Sequence, residues 1–251
     1  MANSPTGDTM AERIVRVLDT FSAERTVQTA AQIGRRSGLP SSTAHRIVDE
    51  LVRAGLLERD DEHRVRLGMR LWELALRGSN ALRLRQAALP YMSQVQARVR
   101  EHTQLAVLEQ DEALFLERLS HPAAGANITR IAGRLPLHAS SSGLVLLAFG
   151  PDDLRRRVLG GDLVAVSPET ITDAETLSRV LDDIRRVGHV IAPGSIESVS
   201  TGIATPVRDA RGAVVAALSI VLPRDAPTSG PLDELRRASA GISAALAADR
   251  R

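Results

Sequence analysis

Two clusters of side chains have types and spacing suited to contact with another molecule. The first is Ser41-Ser42-Thr43-Ala44-His45-Arg46. Hydroxyls near a helix N-terminus bond phosphates, and an arginine reads guanine through paired hydrogen bonds or clamps a phosphate. His45 serves either purpose. Upstream, Arg35 and Arg36 suit backbone clamps better than base readers. Between Glu24 and Asp49 there is no acid, while Arg25, Arg35, Arg36 and Arg46 fall inside, so a small basic face accompanies the hydroxyls. The alternative is that the hydroxyls only cap a helix and Arg46 is solvated. The second cluster is Ser140-Ser141-Ser142, with His138 just before it. At the start of a helix, free backbone N–H groups favour an anion. The alternative there is a capping serine cluster without a ligand.

Other chemistries are excluded or weak. His138 beside serines invites a nucleophile-and-base reading. The G-x-S-x-G elbow is absent, however, and no acid stands nearby to orient the imidazole. His102, His121, His138 and His189 are scattered, without ligand-pair spacing, so no metal is expected. There is no cysteine, hence no disulfide, thiolate zinc site or thiol nucleophile. There is also no lysine, so all 32 basic residues are arginine, which removes a Walker A loop and a Schiff-base enzyme. No catalytic residue and no cofactor are expected. No apolar run is long enough to span a bilayer and no signal peptide is evident, so no membrane partner is expected and a cytoplasmic protein is the simplest reading.

The elements that must position these clusters are legible in the periodicity. Met1 to Thr9 reads as a disordered tail. Met10 to Ala23 reads as a helix with Ile14, Val17, Leu18 and Phe21 on its apolar face. Thr29-Ala-Ala-Gln32 is a capping box opening a second helix that ends near Gly38. Ser37-Gly38-Leu39-Pro40 is a turn. A third helix, about Ser41 to Ala54, buries Ala44, Ile47, Val48, Leu51 and Val52 and stops at Gly55. Short strands at Leu56–Glu58 and Val65–Leu67 enclose a polar tip flanked by Arg59 and Arg64. This is a winged helix-turn-helix over residues 10–67, whose short third helix suits a DNA major groove, with Arg64 gripping phosphate or minor groove from the wing. A short amphipathic linker helix occupies 68–80, broken at Gly78-Ser79-Asn80. Trp72 in it is expected to pack against the winged domain or a second subunit.

Residues 81–251 read as a second, α+β domain. A long helix, Ala81–Glu101, precedes strands at Leu105–Glu109, Ala113–Leu119 and near Ile128–Ala132. Helices follow at Ser140–Phe149, from Pro151, and from a capping box at Thr172-Asp-Ala-Glu175 to Gly188. Strands Ile203–Val207 and Ala213–Leu222 and a last helix, Pro231–Ala248, complete it.

The stretch SGLPSSTAHRIVDELVRAGLLE and the following LGMRLWELA resemble the IclR family of transcriptional regulators. The likeness continues through Gly133-Arg-Leu-Pro-Leu-His-Ala139, Gly188, Ile203-Ala-Thr-Pro-Val207 and Val214-Val-Ala-Ala-Leu-Ser219, in the family's order. The resemblance implies a GAF-like C-terminal effector domain, a homodimer or homotetramer, and effector-controlled binding to a double-stranded operator, most simply as a repressor. It places the effector at Leu135, Ser141, Ser142, Gly202 and Ser219. The chain departs from the family after His138-Ala139, where a Lys is missing. It departs again after Gly188, where Ala192-Pro193-Gly194-Ser195 replaces acids, and at Gly202, where a Cys is common. These departures predict a pocket without an acid, whose ligand differs or is absent. Arg130 and Arg134 near its mouth point to an organic acid. Two half-sites multiply specificity, so a near-palindromic operator is expected. The rival reading is a small hydrolase, or a ligand-binding module whose winged domain is a protein–protein adaptor.

Overall fold

The computed structural model describes residues 7–22, 24–77, 79–122, 124 and 129–248. The chain divides into two compact units, Met1–Leu82 and Arg83–Arg251.

In the first unit, α1 (Met10–Leu18) opens on a reciprocal capping box. The Thr9 hydroxyl accepts the Glu12 N–H, and the Glu12 carboxylate accepts the Thr9 N–H. Thr9 is therefore a helix cap, not tail; Met1–Thr6 lie outside the described residues. The helix also stops earlier than Ala23, because Gln28 donates its side-chain amide to the Thr20 carbonyl and draws the chain into a turn. β1 (Gln28–Thr29) follows, a strand that a two-residue pattern cannot announce. α2 (Ala30–Ser37) begins at the expected Thr29–Gln32 box and ends at Gly38, whose φ of 65° lies in the left-handed region. α3 (Ser41–Arg53), β2 (Leu57–Arg59), β3 (Arg64–Leu67) and α4 (Met69–Leu76) complete the unit. β1 pairs with β3, so the wing is a three-stranded antiparallel sheet in the order β1-β3-β2. Ile33, Ile47, Val48 and Val65 are fully buried at its centre. Trp72 is 58% exposed within the chain, so the winged unit does not bury it.

Residues of α5 (Asn80–Val99) include the division between the units; Asn80 is helical, and Gly78 lies outside the described residues. In the second unit come β4 (His102–Glu109), β5 (Glu112–Leu119), β6 (Arg134–Pro136), α6 (Ser141–Phe149), α7 (Asp152–Leu159) and α8 (Ala174–Val187). Then come β7 (Val190–Pro193), β8 (Ser200–Arg208), β9 (Val214–Pro223) and α9 (Ser229–Ala248). The strands form one antiparallel sheet in the order β6-β5-β4-β9-β8-β7. Alternation sorts their side chains to two faces. Ala106, Phe115, Ala204 and Ala217 pack with Leu144, Leu147, Leu177 and Leu181 on the α6–α8 side. Leu105, Ile203, Leu218 and Ile220 pack with Met92 and Leu235 on the α5–α9 side. This is the expected α+β class, a winged helix followed by a GAF-like unit.

Three local expectations are corrected. No strand runs through 129–132; Ala132 has a φ of 61° there, and the edge strand is β6, two residues later (Ile128 lies outside the described residues). Asp173, not Thr172, caps α8, its carboxylate accepting the Thr176 N–H at 2.7 Å. β7 was missed because it is a four-residue edge strand ending at Pro193, where the alternating signal is short.

Candidate functional site

The recognition candidate is built by α3. Its buried stripe is Ala44, Ile47, Val48 and Leu51, which leaves Ser41, Ser42, His45, Arg46 and Asp49 exposed and Thr43 half-buried. Pro40 occupies the cap position and no side chain caps the helix. The capping alternative for these hydroxyls therefore fails, and the first-turn N–H groups stay open to an anion. His45 lies 2.8 Å from the Ser41 carbonyl through Nδ1, which places a proton on Nδ1 and leaves Nε2 outward as an acceptor when neutral. Arg46 is held by Glu50 at 3.0 Å, one turn on. Such an exposed pair costs only about 0.3–0.5 kcal/mol to exchange for a phosphate or a base.

The wing is stiffened from within. Asp60 accepts the backbone N–H of Arg64 at 2.8 Å and of Glu62 at 3.1 Å, and the Arg64 guanidinium at 2.9 Å. These bonds, the Arg64 N–H first, hold the Asp60 carboxyl below the usual carboxylate range. Arg64 thus serves the wing's turn as well as facing solvent. Arg59 bonds Asp49 at 2.7 Å and ties the wing to α3. Arg35 and Arg36 share the last turn of α2 but differ. Arg35 is exposed without a partner among the described residues, whereas Arg36 bonds the Gln28 side chain and lines a concavity with Arg16 and Arg25.

In the second unit, a small cavity of about 30 Å³ lies between the α6 N-terminus, β4, β8, β9 and the 195–200 loop. Leu135, Ser141, Ser142 and Gly202 all line it. Ser140 is the cap of α6, its hydroxyl accepting the Gly143 N–H at 3.0 Å. Ser141 and Ser142 are not caps, and their N–H groups occupy the first turn, where no helical acceptor exists. Ser219 does not line the cavity; it is fully buried one layer behind. It accepts the Ser142 hydroxyl at 2.9 Å and donates to the Gln104 side-chain oxygen at 3.4 Å. Gly202 has a reason in packing: a Cβ there would stand 2.6 Å from the Ser141 hydroxyl.

The cavity also holds residues that the sequence did not point to. Gln104, Phe115, Thr129, Ser195 and Val221 line it, and so does Glu197, so the expectation of a pocket without an acid is wrong. The acid comes from the loop after β7 rather than from the segment directly after Gly188. Arg130 and Arg134 do not line it; Arg134 donates to the Glu109 carbonyl at 2.8 Å and faces Glu112. His138 is buried and bonds the Val164 carbonyl at 3.0 Å through Nε2, a structural contact and not a bond to a serine. No group of metal-ligating side chains occurs among the described residues, and no helix there is long and apolar enough to cross a membrane.

Comparison with known proteins extends this picture. Residues 10–61 match the model of the IclR helix-turn-helix domain, and residues 79–244 that of the bacterial transcriptional regulator IclR C-terminal domain. The HTH-type transcriptional regulator XynR of Escherichia coli is 29% identical over 94% of this chain and 96% of its own. The Pca regulon regulatory protein of Pseudomonas putida is 28% identical over 86% of this chain and 76% of its own. A solved IclR homolog from Microbacterium hydrocarbonoxydans, complexed with 4-hydroxybenzoate, is 60% identical, with a TM-score of 0.91 over 95% of this chain and 99% of its own. With a winged helix at one end, a serine-lined cavity at the other and both family models matched in order, the chain belongs to the IclR family: it is a DNA-binding transcriptional regulator with an effector domain, not an enzyme.

Proposed function

We propose that this regulator is a cytoplasmic repressor, acting as a homodimer or homotetramer, that releases a near-palindromic operator when a small aromatic acid enters the cavity. Ser41, Ser42, Thr43, His45 and Arg46 contact the major groove and its edges, Arg35 and Arg36 clamp phosphates, and Arg64 reaches DNA from the wing. Residues 10–67 carry this contact, 68–80 link, and 81–251 bind effector and a second copy. A single module buries little DNA surface, so two half-sites are needed for a specific site. Leu135, Ser141, Ser142 and Gly202 meet the effector, with Ser219 holding Ser142 in place. The ligand acts by binding one arrangement of the paired winged units better than the other, transmitted through the linker helix.

The observation that carries the reading is the serine-lined cavity at the open N-terminus of α6. N–H groups there favour a carboxylate, and Phe115 and Leu135 supply apolar wall for a ring. The Microbacterium homolog complexed with 4-hydroxybenzoate supports the same ligand class. To test it, the purified protein is mixed with fragmented genomic DNA at moderate salt, and what it retains is sequenced with and without 4-hydroxybenzoate. A recovered near-palindrome upstream of an operon, released by the acid, is the expected result. No enriched sequence in either condition sinks the specific-binder reading.

A further inference from the structure

One wall of the cavity holds an unmet hydrogen-bond donor. Gln104 is 2% exposed, and its side-chain nitrogen has no acceptor among the described residues. The amide oxygen is turned toward Ser219. It takes the Ser219 hydroxyl, which in turn takes the Ser142 hydroxyl, so the relay presents oxygen to β9 and turns N–H away from it. A buried donor without an acceptor destabilises the empty state until something supplies one. Because Gln104 lines the cavity, a molecule held there, water or ligand, is the natural supplier.

Glu197 is the counterpart. It is half-buried, lines the same cavity, and its carboxylate has no hydrogen bond or ion pair among the described residues. An ionised carboxylate only accepts, so it welcomes a hydroxyl and repels a second carboxylate. Among the described residues no arginine or histidine lines the cavity, so an entering anion meets neutral donors and this one acid there.

We propose that Gln104 and Glu197 set the polarity of the pocket: Gln104 donates to the effector's carboxylate at the buried end, Glu197 accepts a hydroxyl at the more exposed end, and dicarboxylic acids are refused. This rests on the effector reading above and assigns its specificity to two side chains. The contact with Ser219 turns the amide N–H toward the cavity.

The test is calorimetric titration of the full chain with benzoate, 4-hydroxybenzoate and terephthalate. Wild type is expected to bind 4-hydroxybenzoate at least about tenfold more tightly than terephthalate, the ratio one charge-assisted hydrogen bond supplies. Gln104→Met should weaken benzoate and 4-hydroxybenzoate alike by about tenfold, and it should also lower the melting temperature of the ligand-free protein, because the buried Ser219 hydroxyl loses its acceptor. Gln104→Glu, which replaces the donor by an acceptor, should weaken both acids at neutral pH and covers the case in which Gln104→Met does not fold. Glu197→Gln should leave benzoate unchanged and close most of the gap to terephthalate. Wild-type affinity for benzoate in either folded Gln104 variant overturns the assignment of Gln104, and continued refusal of terephthalate by Glu197→Gln overturns that of Glu197. Failure of wild type to bind any of the three acids overturns the aromatic-acid reading, and this polarity with it.

Discussion

Helices α3 and α6 both carry hydroxyls in their first turns, but their surroundings differ. α3 buries one stripe and leaves Ser42, His45 and Arg46 to solvent. α6 buries eight of its nine residues, Ser141 and Ser142 included. A hydroxyl in water exchanges one partner for another at little net cost, which suits the reversible phosphate contact proposed for α3. A buried hydroxyl is costly to leave unpaired, and here Ser142 donates to Ser219 and Ser219 to Gln104. In the proposed reading the first surface recognises by charge and is screened by salt, and the second by shape and by buried donors.

The comparison breaks first at the packed side of α3. Ile47→Ala should cost about 2–5 kcal/mol, because the first unit's core is small and a cavity there cannot collapse well. Denaturant unfolding would show the loss together with loss of DNA binding, and an unchanged midpoint would mean that Ile47 is not the anchor its burial indicates. Arg46→Ala should weaken operator binding by about 1–3 kcal/mol without shifting the unfolding transition. An operator affinity equal to wild type would remove α3 from the interface. In α6 the converse holds. Gly202→Ala pushes a methyl to 2.6 Å from the Ser141 hydroxyl and should cut effector affinity by about tenfold or more while ligand-free DNA binding persists. If both functions fell together, the change would be reporting damaged folding.

Smaller effects sharpen the contrast. Glu50→Gln frees Arg46 from its ion pair and should strengthen DNA binding by about 0.3–0.5 kcal/mol, an increment that vanishes at high salt. The equivalent loss of Ser219 in the other unit should show no salt dependence. The smallest effect is in the wing. The Asp60 carboxyl is held low chiefly by the Arg64 N–H, with the Arg64 side chain adding to it. Its contribution is therefore complete above the unfolded value of about 3.9 and is lost as pH falls through the lower folded one. An NMR titration of the Arg64 amide should move only at that acidic end, and movement near neutrality would contradict the bond.

How far each site could be read from sequence follows from the same contrast. The caps of α1 and α2, the turn at Gly38 and the stripe of α3 are local patterns, and the exposed remainder of α3 is then fixed by subtraction. The wing's third strand was hidden because β1 has two residues and exists only through its pairing with β3. In the second unit the serines of α6 and Gly202 were visible as types at suggestive places. Gln104 and Glu197 were not, since a lone amide near the start of a strand and an acid in a loop carry no local mark.

The sequence by itself determined the α+β class, the order of its elements and a helix with a buried stripe and a basic, hydroxyl-bearing outer face. Each of these depends on residues within a few turns of one another. Only the tertiary structure decided the cavity. Antiparallel register sets Gln104 opposite Ser219, 115 residues away in the chain, and α6 brings Ser142 to the same point from 77 residues away. A shift of one residue in β4 would turn Gln104 to the α5–α9 face and leave the Ser142–Ser219 pair without its third member. Which donor is left unmet is thus a consequence of strand register, which no local run of residues encodes.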